Sequence, residues 1–168
     1  MGVGFTALLH FSKDLDYQKF ANDIGNNNLF PQLNLINNEY KNLNAKLSVF
    51  DNKYITLDYG TVDLSFNEYN VACIRIDRYW SHFLSHNETR LLLKGICFEI
   101  AKYFNQDRVV YLPDHWGLDY VFSEYCIEEI IESLNKRFGN PPNEIESIYK
   151  EFEEHIETDG YYIEIFNS

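Results

Sequence analysis

Tyr111-Leu112-Pro113-Asp114-His115-Trp116-Gly117 is the stretch of this chain densest in side chains that react or anchor. An aspartate can orient a histidine as a general base, provided the two side chains meet. Asp114 and His115 are adjacent, and neighbours on an extended chain point to opposite sides. No Gly-x-Ser-x-Gly elbow and no catalytic cysteine context supplies a nucleophile for them to activate. The stretch follows a predicted strand over 109–112 and so belongs on an exposed rim. Three roles stay open for it: a turn with Trp116 packed into the core, a binding loop with His115 and Trp116 as contacts, or a catalytic loop.

His82 and His86 are four residues apart and would share a face if helical, as metal-binding histidines do. Ser85-His86-Asn87-Glu88 has the form of a capping box, which places His86 before the helix, and no acidic third ligand is near. No metal and no cofactor are therefore expected. Arg75, Arg78 and Arg90 have acidic neighbours in Asp77 and Glu88, so ordinary ion pairs are the expectation there. Cys73, Cys97 and Cys126 are widely spaced, odd in number and form no Cys-x-x-Cys pair; they read as buried free thiols.

Charge gives the strongest global signal. Residues 1–116 carry 13 acidic and 11 basic side chains, whereas residues 117–168 carry 13 and 3. Most of the formal charge of -12 thus lies in the last third of the chain. Glu124, Glu128 and Glu132 recur every fourth residue beside an apolar stripe, and Glu146 and Glu153 lie on the next predicted helix. Like charges at helical spacing cost roughly a few tenths of a kcal/mol per pair. The stripe is either a solvated face or a docking surface for a basic protein partner, whose approach it would steer. Nucleic acid is disfavoured as a partner, because phosphate contacts need a basic stripe and none is present. A calcium site is not expected, because no Asp-x-Asp-x-Asp-Gly loop is present and helical glutamates cannot wrap an ion. No apolar run reaches the roughly 18–20 residues of a membrane span, and Met1–Phe11 lacks the basic start of a secretory signal. A cytoplasmic protein without membrane contact is the expectation.

These residues need elements to position them. Val3–Phe11 reads as a buried strand, followed by a helix with Leu15, Phe20, Ala21 and Ile24 inward and Ser12 or Asp14 as its cap. Residues 26–44 are Asn-rich and read as an irregular connection. Residues 45–77 read as a three-strand meander, in which Val62, Leu64 and Phe66 alternate with Thr61, Asp63 and Ser65, and Ile74 and Ile76 with Arg75 and Asp77. Such alternation predicts one buried and one wet, polar sheet face. A helix over about 88–104 is apolar on most sides and belongs in the core. Ile127, Ile130, Ile131, Leu134 and Phe138 predict a helix from about 124 to 138, ended by Gly139. Ile145, Ile148, Tyr149, Phe152 and Ile156 predict another after Pro142, and Tyr161–Phe166 a closing strand.

At 168 residues, 45% of them hydrophobic, these elements make one α+β domain over 1–168, a mainly antiparallel sheet packed against several helices. With 13 Phe and 13 Tyr, there are more tyrosines than a core needs, and surplus tyrosine is a favoured interface anchor. In size and acidic charge the chain is similar to small cytosolic immunity proteins, which neutralise bacterial toxins, often basic nucleases, through acidic surfaces. The resemblance implies an inhibitor rather than an enzyme and carries over no site. From the residues themselves, Glu124, Glu128, Glu132, Glu146, Glu153, Trp116, His115 and Asp114 are the candidate contacts with a basic partner. A small enzyme built around 111–117 and a subunit of a larger assembly are the alternatives.

Overall fold

The side-chain alternation along the strands decides which parts of the sheet are covered. A computed structural model describes residues 3–148 and 159–166. Its strands are β1 (Gly4–His10), β2 (Lys46–Phe50), β3 (Tyr54–Tyr59), β4 (Val62–Phe66), β5 (Val71–Tyr79), β6 (Arg108–Pro113) and β7 (Tyr162–Ile165). They form one sheet in the order β2-β3-β4-β5-β1-β6-β7, with every neighbouring pair antiparallel. Among the described residues the helices are α1 (Tyr17–Asp23), α2 (Pro31–Ile36), α3 (Trp80–Ser85), α4 (Asn87–Tyr103), α5 (Asp114–Val121) and α6 (Ile127–Phe138). A 3-10 turn follows at Ile145–Ile148. The chain is α+β, as its sequence predicts.

One sheet face is apolar across its inner strands, from β3 to β6. Leu57 of β3, Leu64 of β4, Ile74 of β5, Ala7 of β1 and Tyr111 of β6 all point into it, where α1, α2, α3 and α4 lay Phe20, Leu33, Phe83 and Ile96 against them. Phe11, Phe20, Phe66 and Phe104 meet there edge-on, with centroids 5.2 Å apart for Phe11–Phe66 and 5.0 Å for Phe20–Phe104. Each such side chain taken out of water contributes roughly 1.5–3 kcal/mol.

The second face changes character part-way across. Cross-strand neighbours form rows, one running Lys46, Asp58, Asp63, Arg75, Thr6, Leu112 and the next Ser48, Thr56, Ser65, Cys73, Leu8, Val110. Both rows are polar over β2–β4 and turn apolar by β6. Helices α5 and α6 bury Tyr120, Val121, Ile127, Ile130 and Leu134 against the apolar half, where Leu8, Cys73, Val110 and Leu112 lie. The placement depends on Gly117. A Cβ there would come within 2.8 Å of Thr6 Cβ and closer still to Thr6 Oγ1, so only glycine lets the helix backbone descend onto β1. Thr6, buried in the same contact, donates its hydroxyl to the Leu112 carbonyl at 2.8 Å.

Several predicted elements are corrected. Residues 26–44 contain α2, whose first helical residue is Pro31. Its free amides are satisfied from another helix: Gln32 and Leu33 donate to the Glu99 carboxylate of α4 at 2.7 and 3.2 Å. Beyond its end, buried Asn37 ties it to the β3–β4 turn, donating to the Tyr59 carbonyl and accepting from the Thr61 amide and hydroxyl. The three-strand meander is four strands. The first helix is capped by Asp16, which accepts from the Lys19 amide, and not by Ser12 or Asp14. The Ser85–Glu88 capping box does not form, because Ser85 donates its hydroxyl back to the Ser81 carbonyl at the end of α3. Helix α4 is not enclosed on all sides: Leu91 and Phe98 are exposed. The helix expected from 124 begins at Ile127, because Cys126 and Glu129 cap it. The 111–117 stretch is not a loop; the chain passes from β6 directly into α5. In the helix expected after Pro142, Ile145–Ile148 is a 3-10 turn, and Tyr149, Phe152 and Ile156 lie outside the described residues.

Two measurements check this packing. Gly117→Ala is expected to destabilise the protein by about 1–3 kcal/mol, the usual cost of overpacking, in chemical denaturation. At Glu99, 8% exposed, burial pushes the carboxyl up against the opposing pull of its two amide partners. Its folded value lies above the unfolded one, so its contribution to stability is greatest in acid and is lost as pH rises through the folded value. Glu99→Gln keeps an acceptor and should flatten that pH dependence, whereas Glu99→Ala orphans two amides and should cost about 1–3 kcal/mol.

Candidate functional site on the uncovered half of the sheet

The 111–117 residues are distributed by a helix rather than gathered by a loop. Asp114 opens α5 and lies against Gly4, where an added Cβ would meet its Oδ2 at 2.6 Å. The next residue, His115, turns the other way, its Nε2 3.8 Å from Asp159 Oδ2. Trp116 donates Nε1–H to Asp159 Oδ1 at 2.8 Å, with the Arg137 guanidinium 4.2 Å above its ring. Asp114 and His115 therefore do not form a dyad. Trp116 instead ties α5 to the end of α6 and to the start of the last strand segment.

The glutamates are likewise separated. Glu124 lies exposed on the turn between α5 and α6. On α6, Glu128 pairs with Arg108 and Glu132 with Lys136 at 3.5 Å. Glu146 pairs with Arg90 of α4 at 3.0 Å, beside the other sheet face. Glu153 lies outside the described residues. Three of the five candidate glutamates thus have a cation of their own chain beside them, and Glu146 does not share a surface with the α6 pair.

The structure brings together a different set. Beside α5 the polar half of the second face is open, and two recesses of about 590 and 320 Å³ lie along it. Asp77, Arg78, Tyr79, His82 and Asp114 border the larger one, and Phe50, Asp58, Ser65 and Phe122 the smaller. Asp63 and Arg75 border both, so the recesses form one trough crossed by the Asp63–Arg75 ion pair, in which Arg75 Nε donates at 2.9 Å. Helix α5 supplies the wall. Asp114, Leu118 and Phe122 are spaced by four residues and so fall on one side of the helix. The far end is fixed by Tyr54, which donates its hydroxyl to the Phe122 carbonyl at 2.9 Å and packs edge-on against its ring.

Charge in the trough is unevenly balanced. Asp58 and Asp63 are direct cross-strand neighbours, a like-charge placement that destabilises a sheet. Burial, then the Asp63 charge, push the Asp58 carboxyl up, and Arg75 and Lys46 oppose them. Asp77 and Asp114 have no ion pair among the described residues. Two of the thiols are chemically quiet: burial pushes Cys73 up to about 12 and Cys97 well above its ordinary value. Cys126 is only half-buried, which corrects the expectation that all three are buried. His82 and His86 stand with ring centroids 4.6 Å apart, but among the described residues no three His, Cys, Asp or Glu side chains are grouped to hold a metal ion. No helix among the described residues is long and apolar enough to cross a membrane.

No family model, curated protein or solved structure matches this chain. The trough floor was nevertheless visible in the alternation that sets Asp63, Ser65, Arg75 and Asp77 on the wet face. Its wall was not, because the Asp-His-Trp sequence gave no reason to start a helix at Asp114. If Asp63 helps to raise Asp58, Asp63→Asn should bring the Asp58 carboxyl down toward the ordinary aspartate range in a carbon-detected NMR titration. An unchanged Asp58 would assign its rise to burial alone.

Proposed function

We propose that the protein is a cytoplasmic binding module for a basic protein partner, an immunity-type inhibitor that covers the working surface of a toxin such as a nuclease. The observation that carries this reading is the excess of carboxylates on an open, solvent-facing surface: Asp58, Asp63, Asp77 and Asp114 around the trough, against Arg75 and Arg78. Exposed Asp119 and Glu124 on the adjoining α5–α6 layer extend the same field. Such a surface attracts a cationic protein over a distance of about a Debye length and orients it before contact. Against a nuclease, these carboxylates would stand where substrate phosphates lie. The divergence of Asp114 from His115 supports this reading over an enzyme built on that pair.

The test is the salt dependence of capture. A basic protein retained from lysate of the source cell at low salt should be released by salt, and its association rate should fall by about tenfold or more between roughly 50 and 500 mM NaCl, with dissociation changing much less. A partner whose association is indifferent to salt would contradict the reading.

A further inference from the structure

We infer that the trough seats an extended segment of the partner carrying two arginines two residues apart, one side chain entering each recess. This rests on the cationic-partner reading and adds to it the place and the form of contact. The first argument is dimensional. From Asp114 to Phe122 the helix wall rises by eight residue steps, about 12 Å, and about four residues of extended chain cover that distance. In an extended chain, side chains two residues apart point the same way, about 6.6 Å from each other. Asp114 and Leu118, which mark the two recesses along α5, are separated by about 6 Å of helix rise.

The second argument is charge complementarity within each recess. Beyond the Asp63–Arg75 pair, the larger holds Asp77 and Asp114 against the single guanidinium of Arg78, and the smaller holds Asp58, so each keeps an excess of carboxylate. The Asp63–Arg75 pair between them already satisfies itself, so it separates two acceptor sites instead of making a third. The third argument concerns the kind of cation. Each recess has an exposed aromatic at its rim, Tyr79 (49% exposed) at one and Phe50 (55% exposed) at the other. A guanidinium pairs with a carboxylate through a planar fork and stacks on an aromatic face, which the compact lysine ammonium does less well. Thr56 and Ser65, short polar residues, line the smaller recess beyond the Asp63–Arg75 pair and leave room for a backbone to lie over them.

The probe is a synthetic heptapeptide, Gly-Thr-Arg-Thr-Arg-Thr-Gly, set against the same peptide with citrulline for both arginines. The two have nearly equal shape and differ by two charges. Calorimetry on the full chain at low salt should show the arginine peptide binding at least about tenfold more tightly. D58N/D77N/D114N should lose about tenfold or more of that affinity. D14N/E68Q/D107N removes the same charge from exposed sites elsewhere and should lose less than about threefold. Because Asp114 opens α5, Ser65→Lys is a second variant: it puts a cation on the trough floor without touching that helix, and the same loss is expected. Equal affinity for the two peptides, equal losses in the two triple variants, or full affinity in a folded Ser65→Lys protein would each overturn the inference. A salt-dependent partner that still binds the trough variants would overturn this site and leave the proposed function standing. A salt-indifferent partner would contradict the proposed function whatever the peptide does.

Discussion

The contact between Gly117 and Thr6 is the constraint on which the rest of the second face depends. A helix backbone that rests on a central strand at a glycine has little freedom to slide, because on either side of that point ordinary side chains hold it away. With α5 fixed there, its apolar residues Tyr120 and Val121 fall over the apolar half of the sheet. Asp114, Leu118 and Phe122 fall at the boundary with the polar half. The open trough is therefore a consequence of where one helix touches one strand. Tyr54 and Trp116 secure the helix at its two ends, through the Phe122 carbonyl and the Asp159 carboxylate.

A sheet face whose cross-strand rows are polar over β2–β4 and apolar by β6 is divided by its own composition. Burying Asp58, Asp63 and Arg75 under another helix would require desolvating three charges for one ion pair, which a small domain with marginal stability does not sustain. Leaving them in water costs little, and the residual repulsion between Asp58 and Asp63 is the kind of local disagreement with stability found at functional surfaces. By contrast, Glu128 and Glu132 of α6 are answered by Arg108 and Lys136.

Much of the architecture was legible in the sequence, for reasons that particular residues illustrate. Period-two alternation in β4 and β5 is imposed by the pleat, and it identified both the buried Val62, Leu64 and Phe66 and the wet Asp63 and Arg75. The spacing of Ile127, Ile130 and Leu134 likewise identified the inward side of α6. What was not legible depended on partners distant in sequence. Helix α2 is too short to announce itself and is completed by Glu99, some 66 residues away. The seat of α5 on the sheet follows from a glycine whose importance appears only when Thr6 is beneath it. The acidic stripe was read as one surface because Glu124 was counted into a helix, and because the cations opposite Glu128 and Glu146 come from β6 and α4.

Amide hydrogen exchange of the full chain, alone and with the salt-released partner, tests the central claim most directly. A trough that serves as the docking surface predicts slowed exchange across β4, β5 and the Asp114–Phe122 wall on binding, with α6 and the exposed side of α4 unchanged. Slowing confined to α6 or α4, with the trough exchanging as it does in the free protein, would contradict the account.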